Sequence, residues 1–250
     1  MKAMILAAGL GTRLRPITDR LPKALVPVAG RPMIEYPLRL LRHYGIRDII
    51  INLHHLGDQV EAYLGAGDKF GLRIAYSKET ELLDTGGGLL KAKPFLAGAT
   101  FIVVNTDVLI DLPLCDAIEF HRRKAATATL VLRTDPHAQR YGSMSTDGCG
   151  RIRRFLEATA PAPSPRRDRE SELMFTGVQI LEPEIFDFMA ADSAAEKFST
   201  TRDTYPRLLR AGGALYGFRF DGFWRDLGTL ESLREAEESL EQGRVKLHYL

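Results

Sequence analysis

The chain has 250 residues, with 34 Lys+Arg against 32 Asp+Glu for a formal net charge of +2, and 45% hydrophobic residues. That is the make-up of an ordinary soluble globular protein, and it excludes disordered, collagen-like and low-complexity classes for the bulk of the chain. The near-neutral charge argues against a dedicated nucleic-acid binder, and Cys115 and Cys149 are too few for a disulfide framework and too isolated for a zinc site, which points to a reducing, cytoplasmic compartment.

Apolar runs and amphipathic runs alternate along the first half. Residues 4–8 read as a buried strand ending in a Gly-containing loop. Pro32 opens a helix bearing Met33, Ile34, Leu38, Leu41 and Tyr44, with Gly45 as its stop and a kink or late start at Pro37. Residues 48–53 are a second strand, 56–64 a short helix and 72–77 a third strand. Gly86, Gly87 and Gly88 precede a helix-like run, 100–105 is a fourth strand, 112–124 is helical and 127–133 is a strand. This alternation implies βαβ units and a mostly parallel sheet. Continuous apolar runs fit strands covered on both faces.

After residue 140 the pattern changes. Asp147, Gly148 and Gly150 fall between short runs within 141–157, the signature of a hairpin. Residues 159–170 hold three prolines and a charge cluster and are expected to form a mobile loop. A strand over 173–181, helices over 183–189 and 202–211, two short strands within 215–226 and a last helix from Thr229 complete the pattern. Neither a signal-peptide core nor an apolar run near the ~20 residues of a membrane span is present.

In open parallel sheets ligands sit at the carboxyl ends of strands, and three such ends here carry unusual residues. The first is Ala7-Ala8-Gly9-Leu10-Gly11-Thr12-Arg13. Its glycines let backbone N–H groups approach a phosphate and Arg13 adds charge. It is neither a Walker loop nor a full dinucleotide fingerprint, and an ordinary turn would look much the same. The second is Pro22-Lys23, a lysine on stiffened backbone just past that loop, better explained as a phosphate ligand than as a solvated surface charge. The third is Asn105-Thr106-Asp107. Asp107 is either a helix cap or a metal ligand, and Asp111, nearer the next helix, is the better candidate cap. Asp226, in Trp224-Arg225-Asp226-Leu227-Gly228-Thr229, again follows a short strand. It would share a Mg²⁺ ion with Asp107 if the fold joins those ends. His54-His55 lacks ligand-spaced partners, and no Gly-x-Ser-x-Gly elbow is present. Two phosphate-type elements and two acids without a nucleophile suggest phosphoryl or nucleotidyl transfer.

Residues 6–14 followed by Pro22-Lys23 resemble the signature of the sugar-1-phosphate nucleotidyltransferases. Asn105-Thr106-Asp107 resembles that family's strand-end Asn-Gly-Asp, and residues 224–229 its Trp-x-Asp-x-Gly-Thr. Residues 26–32, 84–88 and 175–178 carry a closer likeness to the short bacterial N-acetylmuramate-1-phosphate uridylyltransferase and mannose-1-phosphate guanylyltransferase-like forms.

The resemblance implies a three-layer α/β/α sandwich with a mostly parallel, Rossmann-like sheet. It implies one catalytic domain over 1–250, with a nucleotide-binding half to about residue 135, a sugar-binding half after it, and no C-terminal left-handed β-helix. The implied reaction is Mg²⁺-dependent attack of a sugar-1-phosphate on the α-phosphorus of UTP or GTP, releasing pyrophosphate. Carried over by position, Arg13, Lys23, Asp107 and Asp226 are catalytic, and Asp107 and Asp226 hold Mg²⁺. Ala8, Gly9, Gly11, Thr12, Arg13, Lys23, Glu79 and Gly86 bind the nucleotide, and Asn105, Gly142, Glu157 and Thr176 face the sugar. Glu79, as an acceptor, suits an N–H-bearing base edge. Two departures stand out. Ala158 replaces the usual lysine after Glu157, for which Arg166 or Arg167 would substitute, and Thr106 replaces a glycine and would crowd the sugar side. The expected partners are an NTP and a sugar-1-phosphate, with no nucleic acid or membrane, in a cytoplasmic monomer or small homo-oligomer serving cell-envelope precursors. A non-catalytic sugar-nucleotide sensor, a choline-phosphate cytidylyltransferase and a dinucleotide-dependent dehydrogenase are the weaker alternatives.

Overall fold

A computed structural model describes residues 1–135, 144–161, 169–189 and 197–250. In chain order the strands are β1 (Lys2–Leu6), β2 (Pro27–Val28), β3 (Arg31–Pro32), β4 (Asp48–Leu53), β5 (Arg73–Lys78), β6 (Phe101–Asn105), β7 (Val108–Ile110), β8 (Ala128–Thr134), β9 (Met144–Thr146), β10 (Ile152–Phe155), β11 (Ala158–Thr159), β12 (Arg169–Leu181), β13 (Leu215–Arg219) and β14 (Trp224–Asp226). The α-helices are α1 (Glu35–His43), α2 (Gly57–Leu64), α3 (Asp84–Lys91), α4 (Lys93–Leu96), α5 (Leu114–Arg123), α6 (Tyr205–Arg210) and α7 (Leu230–Glu241).

The chain forms two compact units that interleave in sequence: Met1–Leu82 with Val104–Leu112 and Gly222–Leu250, and Leu83–Val103 with Pro113–Asp221. The halves expected on either side of residue 135 are therefore not the compact units. The reason is that β7 and β14, more than a hundred residues apart, pair with each other and draw both flanks into the first unit.

In the first unit β4 lies between β1 and β5, all parallel, with Met4 opposite Ile50 and Ile50 opposite Ala75. Both β1 and β4 bury successive residues rather than alternate ones, as strands covered on both faces do. Helix α1 starts late, placing Pro37 in its first turn, where a missing N–H costs nothing, and Gly45 ends it at φ 73°. Thr229 and Ser232 form a reciprocal capping box at the start of α7.

The second unit is mainly antiparallel. β12 pairs antiparallel with β8 and β9, β10 with β9 and β11, and β13 runs parallel to β8. The strands of the first unit's β1–β4–β5 group are thus parallel, and the pairing in the second unit is mixed. The Asp147 turn between β9 and β10 is the expected hairpin, its carboxylate accepting from the N–H groups of Cys149 and Arg151. Three sequence readings need correction. Gly86, Gly87 and Gly88 lie inside α3 rather than before it. The 183–189 helix is a 3₁₀ turn over Pro183–Phe188. Asp111 caps no helix: α5 begins after Pro113, and Asp111 instead accepts from the backbone N–H and ring Nδ1 of His248. Among the described residues no helix is long and apolar enough to cross a membrane.

Candidate functional site

The first unit gathers all four charged residues expected to be catalytic. β1 ends at Leu6, and the chain then turns through three short 3₁₀ segments, Thr12–Leu14, Ile17–Asp19 and Lys23–Leu25, rather than entering an α-helix. Gly11 sits at φ 65°, and a Cβ there would lie 2.8 Å from Thr18 Cγ2 and 3.1 Å from Lys23 Cβ. Its carbonyl accepts from the Thr18 hydroxyl at 2.8 Å and from the Leu14 N–H at 2.8 Å. Gly11 is therefore glycine for both conformation and space. Gly9 differs, since a Cβ there would meet no atom of the described residues beyond its chain neighbours within 4 Å. Ala8 is buried, and Thr12 opens the first 3₁₀ turn.

Asp107 follows β6, and Asp226 ends β14. In the β7–β14 ladder Asp226 lies opposite Val108, and the Leu227 N–H donates to the Asp107 carbonyl at 2.8 Å. This pairing makes neighbours of two acids 119 positions apart in sequence. Lys23 Nζ forms a short ion pair with Asp107 Oδ2, with 14% and 24% of the respective side chains exposed. Asp226 Oδ1 accepts from the Gly228 N–H. A Cβ on Gly228 would lie 2.3 Å from Arg13 Nη2 and 2.5 Å from Asp226 Oδ1, so the guanidinium occupies the space beside that glycine and Asp226.

Burial, and then the Asp107 charge, push the Asp226 carboxyl above the usual carboxylate range, while the Gly228 N–H, Lys23 and Arg13 pull against that rise. Two partly buried carboxylates on neighbouring strand ends are a donor pair for a hard divalent cation, which takes one or two carboxylates and completes its shell with phosphate oxygens. Among the described residues no group of three or more His, Cys, Asp or Glu forms a protein-only metal site. The pair thus fits Mg²⁺ brought with phosphates.

Glu79 is buried at 5% exposure, just past β5. Its N–H donates to the Leu53 carbonyl at 2.7 Å, and its own carbonyl accepts from His54 Nδ1 at 3.0 Å. His55 Nε2 donates to the Thr18 carbonyl at 3.2 Å, so each ring of the His54-His55 pair is tied to backbone. The sequence reading missed Asn52, at the end of β4. It is 3% exposed, accepts from the Ala7 N–H at 2.8 Å and donates to Glu79 Oε1 at 2.7 Å. A polar residue closing an apolar parallel strand was its signal, the same one that marked Asn105.

The remaining expected positions are placed differently. Thr106 turns its hydroxyl to the Leu6 carbonyl at 2.8 Å and is buried, which accounts for a threonine at that point. Asn105 closes β6, half-buried. In the second unit, a Cβ on Gly86 would lie 2.3 Å from Phe198 Cδ2, so packing alone requires that glycine. Thr176 is wholly buried at an irregularity in β12, its hydroxyl donating to the Val131 carbonyl at 2.9 Å, with Gly177 at φ 87° beside it. Glu157 is exposed in the turn between β10 and β11. Gly142, Arg166 and Arg167 lie outside the described residues.

The nucleotidyl transferase family model matches residues 2–243. The chain is 37% identical over 240 residues to an N-acetylmuramate alpha-1-phosphate uridylyltransferase of Neisseria meningitidis, covering 95% of this chain and 97% of that one. It is 36% identical over 259 residues to a UTP–glucose-1-phosphate uridylyltransferase of Synechocystis, covering 98% of this chain but 65% of the relative's length. Against a mannose-1-phosphate guanylyltransferase of Mycobacterium tuberculosis it is 32% identical, again spanning 65% of that protein. A solved structure of a putative glucose-1-phosphate thymidylyltransferase from Bacillus anthracis superposes with a TM-score of 0.80 at 25% identity, covering 95% of this chain and 94% of that one.

Proposed function

The chain belongs to the nucleotidyl transferase family, and on that premise we propose that it transfers a nucleotidyl group from UTP or GTP to a sugar-1-phosphate, releasing pyrophosphate. The observation that carries this reading is the gathering of Arg13, Lys23, Asp107 and Asp226 around the paired ends of β7 and β14. Relatives named as uridylyl- and guanylyltransferases of sugar-1-phosphates support it.

A phosphate monoester has a second pKa of about 6 and is already a dianion at neutral pH. No general base is needed, and catalysis becomes positioning and charge stabilisation. Backbone at Ala8, Gly9, Gly11 and Thr12 holds the triphosphate. Open space at Gly9 leaves room for a phosphate oxygen to approach the backbone. Arg13 stabilises the departing β,γ-phosphates, and Lys23 leaves its ion pair with Asp107 to meet the α-phosphate as charge develops. Asp107 and Asp226 would hold Mg²⁺, which would supply charge neutralisation for the phosphates. Glu79 accepts an N–H from the base edge, which favours uracil or guanine over cytosine or adenine. Gly86 is carried over as a nucleotide position by the family resemblance alone, its packing against Phe198 being a separate reason for a glycine. Asn105, Gly142, Glu157 and Thr176 are the sugar positions that the family resemblance carries over, and Thr176 also links β12 to β8 through its hydroxyl. A cytoplasmic place fits the composition, and a role in cell-envelope precursors is supported by the likeness to an N-acetylmuramate alpha-1-phosphate uridylyltransferase.

The test is pyrophosphate release with Mg²⁺ across a grid of nucleoside triphosphates and the 1-phosphates of glucose, mannose, N-acetylglucosamine and N-acetylmuramic acid. Release for UTP or GTP with one of these sugars is expected. A folded protein that binds a nucleotide sugar yet releases nothing with any pair would favour the sensor reading.

A further inference from the structure

We propose that Asn52 is a positioning residue for base selection: its amide couples the start of the phosphate loop to Glu79 and fixes that carboxylate as a hydrogen-bond acceptor. The inference rests on the reading of Glu79 as the base contact.

The orientation of the Asn52 amide is not arbitrary. A backbone N–H can only donate, so the atom 2.8 Å from the Ala7 N–H must be the amide oxygen. The amide nitrogen is then the atom facing Glu79, 2.7 Å from Oε1, and it can only donate. A group that can only donate, at that place, requires its partner to accept. Both residues are buried, at 3% and 5% exposure, and an unpaired amide or carboxylate oxygen there would be costly. The backbone of residue 79 is held from both sides by Leu53 and His54. Asn52 adds the side-chain constraint, leaving Glu79 little freedom to turn. Ala7, the other end of this link, directly precedes Ala8 and Gly9. One side chain thus ties the loop proposed to hold the phosphates to the group proposed to read the base.

Site-directed recognition of this kind discriminates strongly, because the wrong ligand leaves a buried polar group unpaired. UTP and CTP differ where it matters: uracil carries an N–H at ring position 3, and cytosine carries an acceptor there.

Asn52→Asp separates the two arms. Its shape and its acceptor for Ala7 are kept, but an oxygen replaces the donor facing Glu79, and two carboxylate oxygens so close cannot both stay ionised. The experiment measures kcat and KM for UTP and CTP, or for GTP and ATP if the enzyme uses GTP, in wild type, Asn52→Asp, Glu79→Ala and the double variant. Melting curves report folding, and if Asn52→Asp does not fold, Asn52→Ser takes its place. The expected result is at least a tenfold fall in the kcat/KM ratio between the two bases for each single variant, carried mainly by KM. The double variant should fall no further than Glu79→Ala alone. If Glu79→Ala collapses the ratio while Asn52→Asp keeps it within twofold, the role of Asn52 is wrong and that of Glu79 stands. A position-52 variant that slows all nucleotides equally also overturns it. If Glu79→Ala leaves the ratio unchanged, the base contact itself is wrong and the inference falls with it.

Discussion

Two glycines of one loop carry different constraints. Gly11 is held at positive φ with Thr18 and Lys23 against the place of a Cβ, whereas Gly9 has open space there. Gly11→Ala should therefore destabilise the fold by about 2 kcal/mol through strain and overpacking. Gly9→Ala should melt like wild type and instead weaken nucleotide binding. Thermal melts paired with nucleotide titrations check both, and a stable Gly11→Ala would show that the loop gives way more easily than its packing suggests. Lys23 differs again, since its charge is set against Asp107 within a partly buried cluster. Lys23→Ala should lower kcat by ~10²–10³, the size of losing one preorganised charge-stabilising donor. Steady-state kinetics at saturating substrate would reject that role if the rate stayed near normal.

At the scale of elements, the site depends on one short ladder. β7 and β14 have three residues each, yet their register makes Asp107 and Asp226 neighbours. Helix α3 shows how an element can run against propensity. Three consecutive glycines cost it roughly 1 kcal/mol each relative to alanine. Gly86 is retained because the Phe198 ring and carbonyl occupy the space of a Cβ, at 2.3 and 2.8 Å. The backbone carbonyl cannot move cheaply, so overpacking outweighs the helical gain. Gly86→Ala is expected to destabilise by about 1–3 kcal/mol, read by chemical denaturation. An increase in stability would mean that the Phe198 segment shifts freely.

At the scale of the whole molecule, the pH dependence of stability should carry the mark of His121. The ring is 1% exposed, donates from Nε2 to Glu182 at 3.0 Å and accepts at Nδ1 from the Thr129 hydroxyl at 2.8 Å. Burial lowers its pKa, against the opposing pull of Glu182. Below the unfolded value of about 6.5, the unfolded chain binds a proton that the folded chain resists, so stability falls as pH drops. His121→Gln should flatten that slope below about pH 6.5, and denaturation at a series of pH values checks it; an unchanged slope would place the acid sensitivity elsewhere.

Much of this organisation was legible in the sequence where the signal is local. The apolar run of β4, the Gly45 stop after α1 and the Thr229 cap of α7 are written in neighbouring residues. The juxtaposition of Asp107 with Asp226 was implied only by the family resemblance, because a ladder between strands more than a hundred residues apart leaves no spacing to read. The start of α5 was missed for a related reason: Asp111 has the chemistry of a cap, but a distant partner, His248, claims its carboxylate. Asn52 carried a local signal, a polar residue near the end of an apolar strand, but its role shows only in its contacts with Ala7 and Glu79.

The most direct test of the central claim, that the two acids joined by β7 and β14 support nucleotidyl transfer, is pyrophosphate release by Asp107→Asn. It would use the triphosphate and sugar-1-phosphate pair that responds best with wild type, under saturating Mg²⁺. Loss of turnover in a protein that melts as wild type and still binds nucleotide is the predicted result. Turnover equal to wild type would contradict the claim.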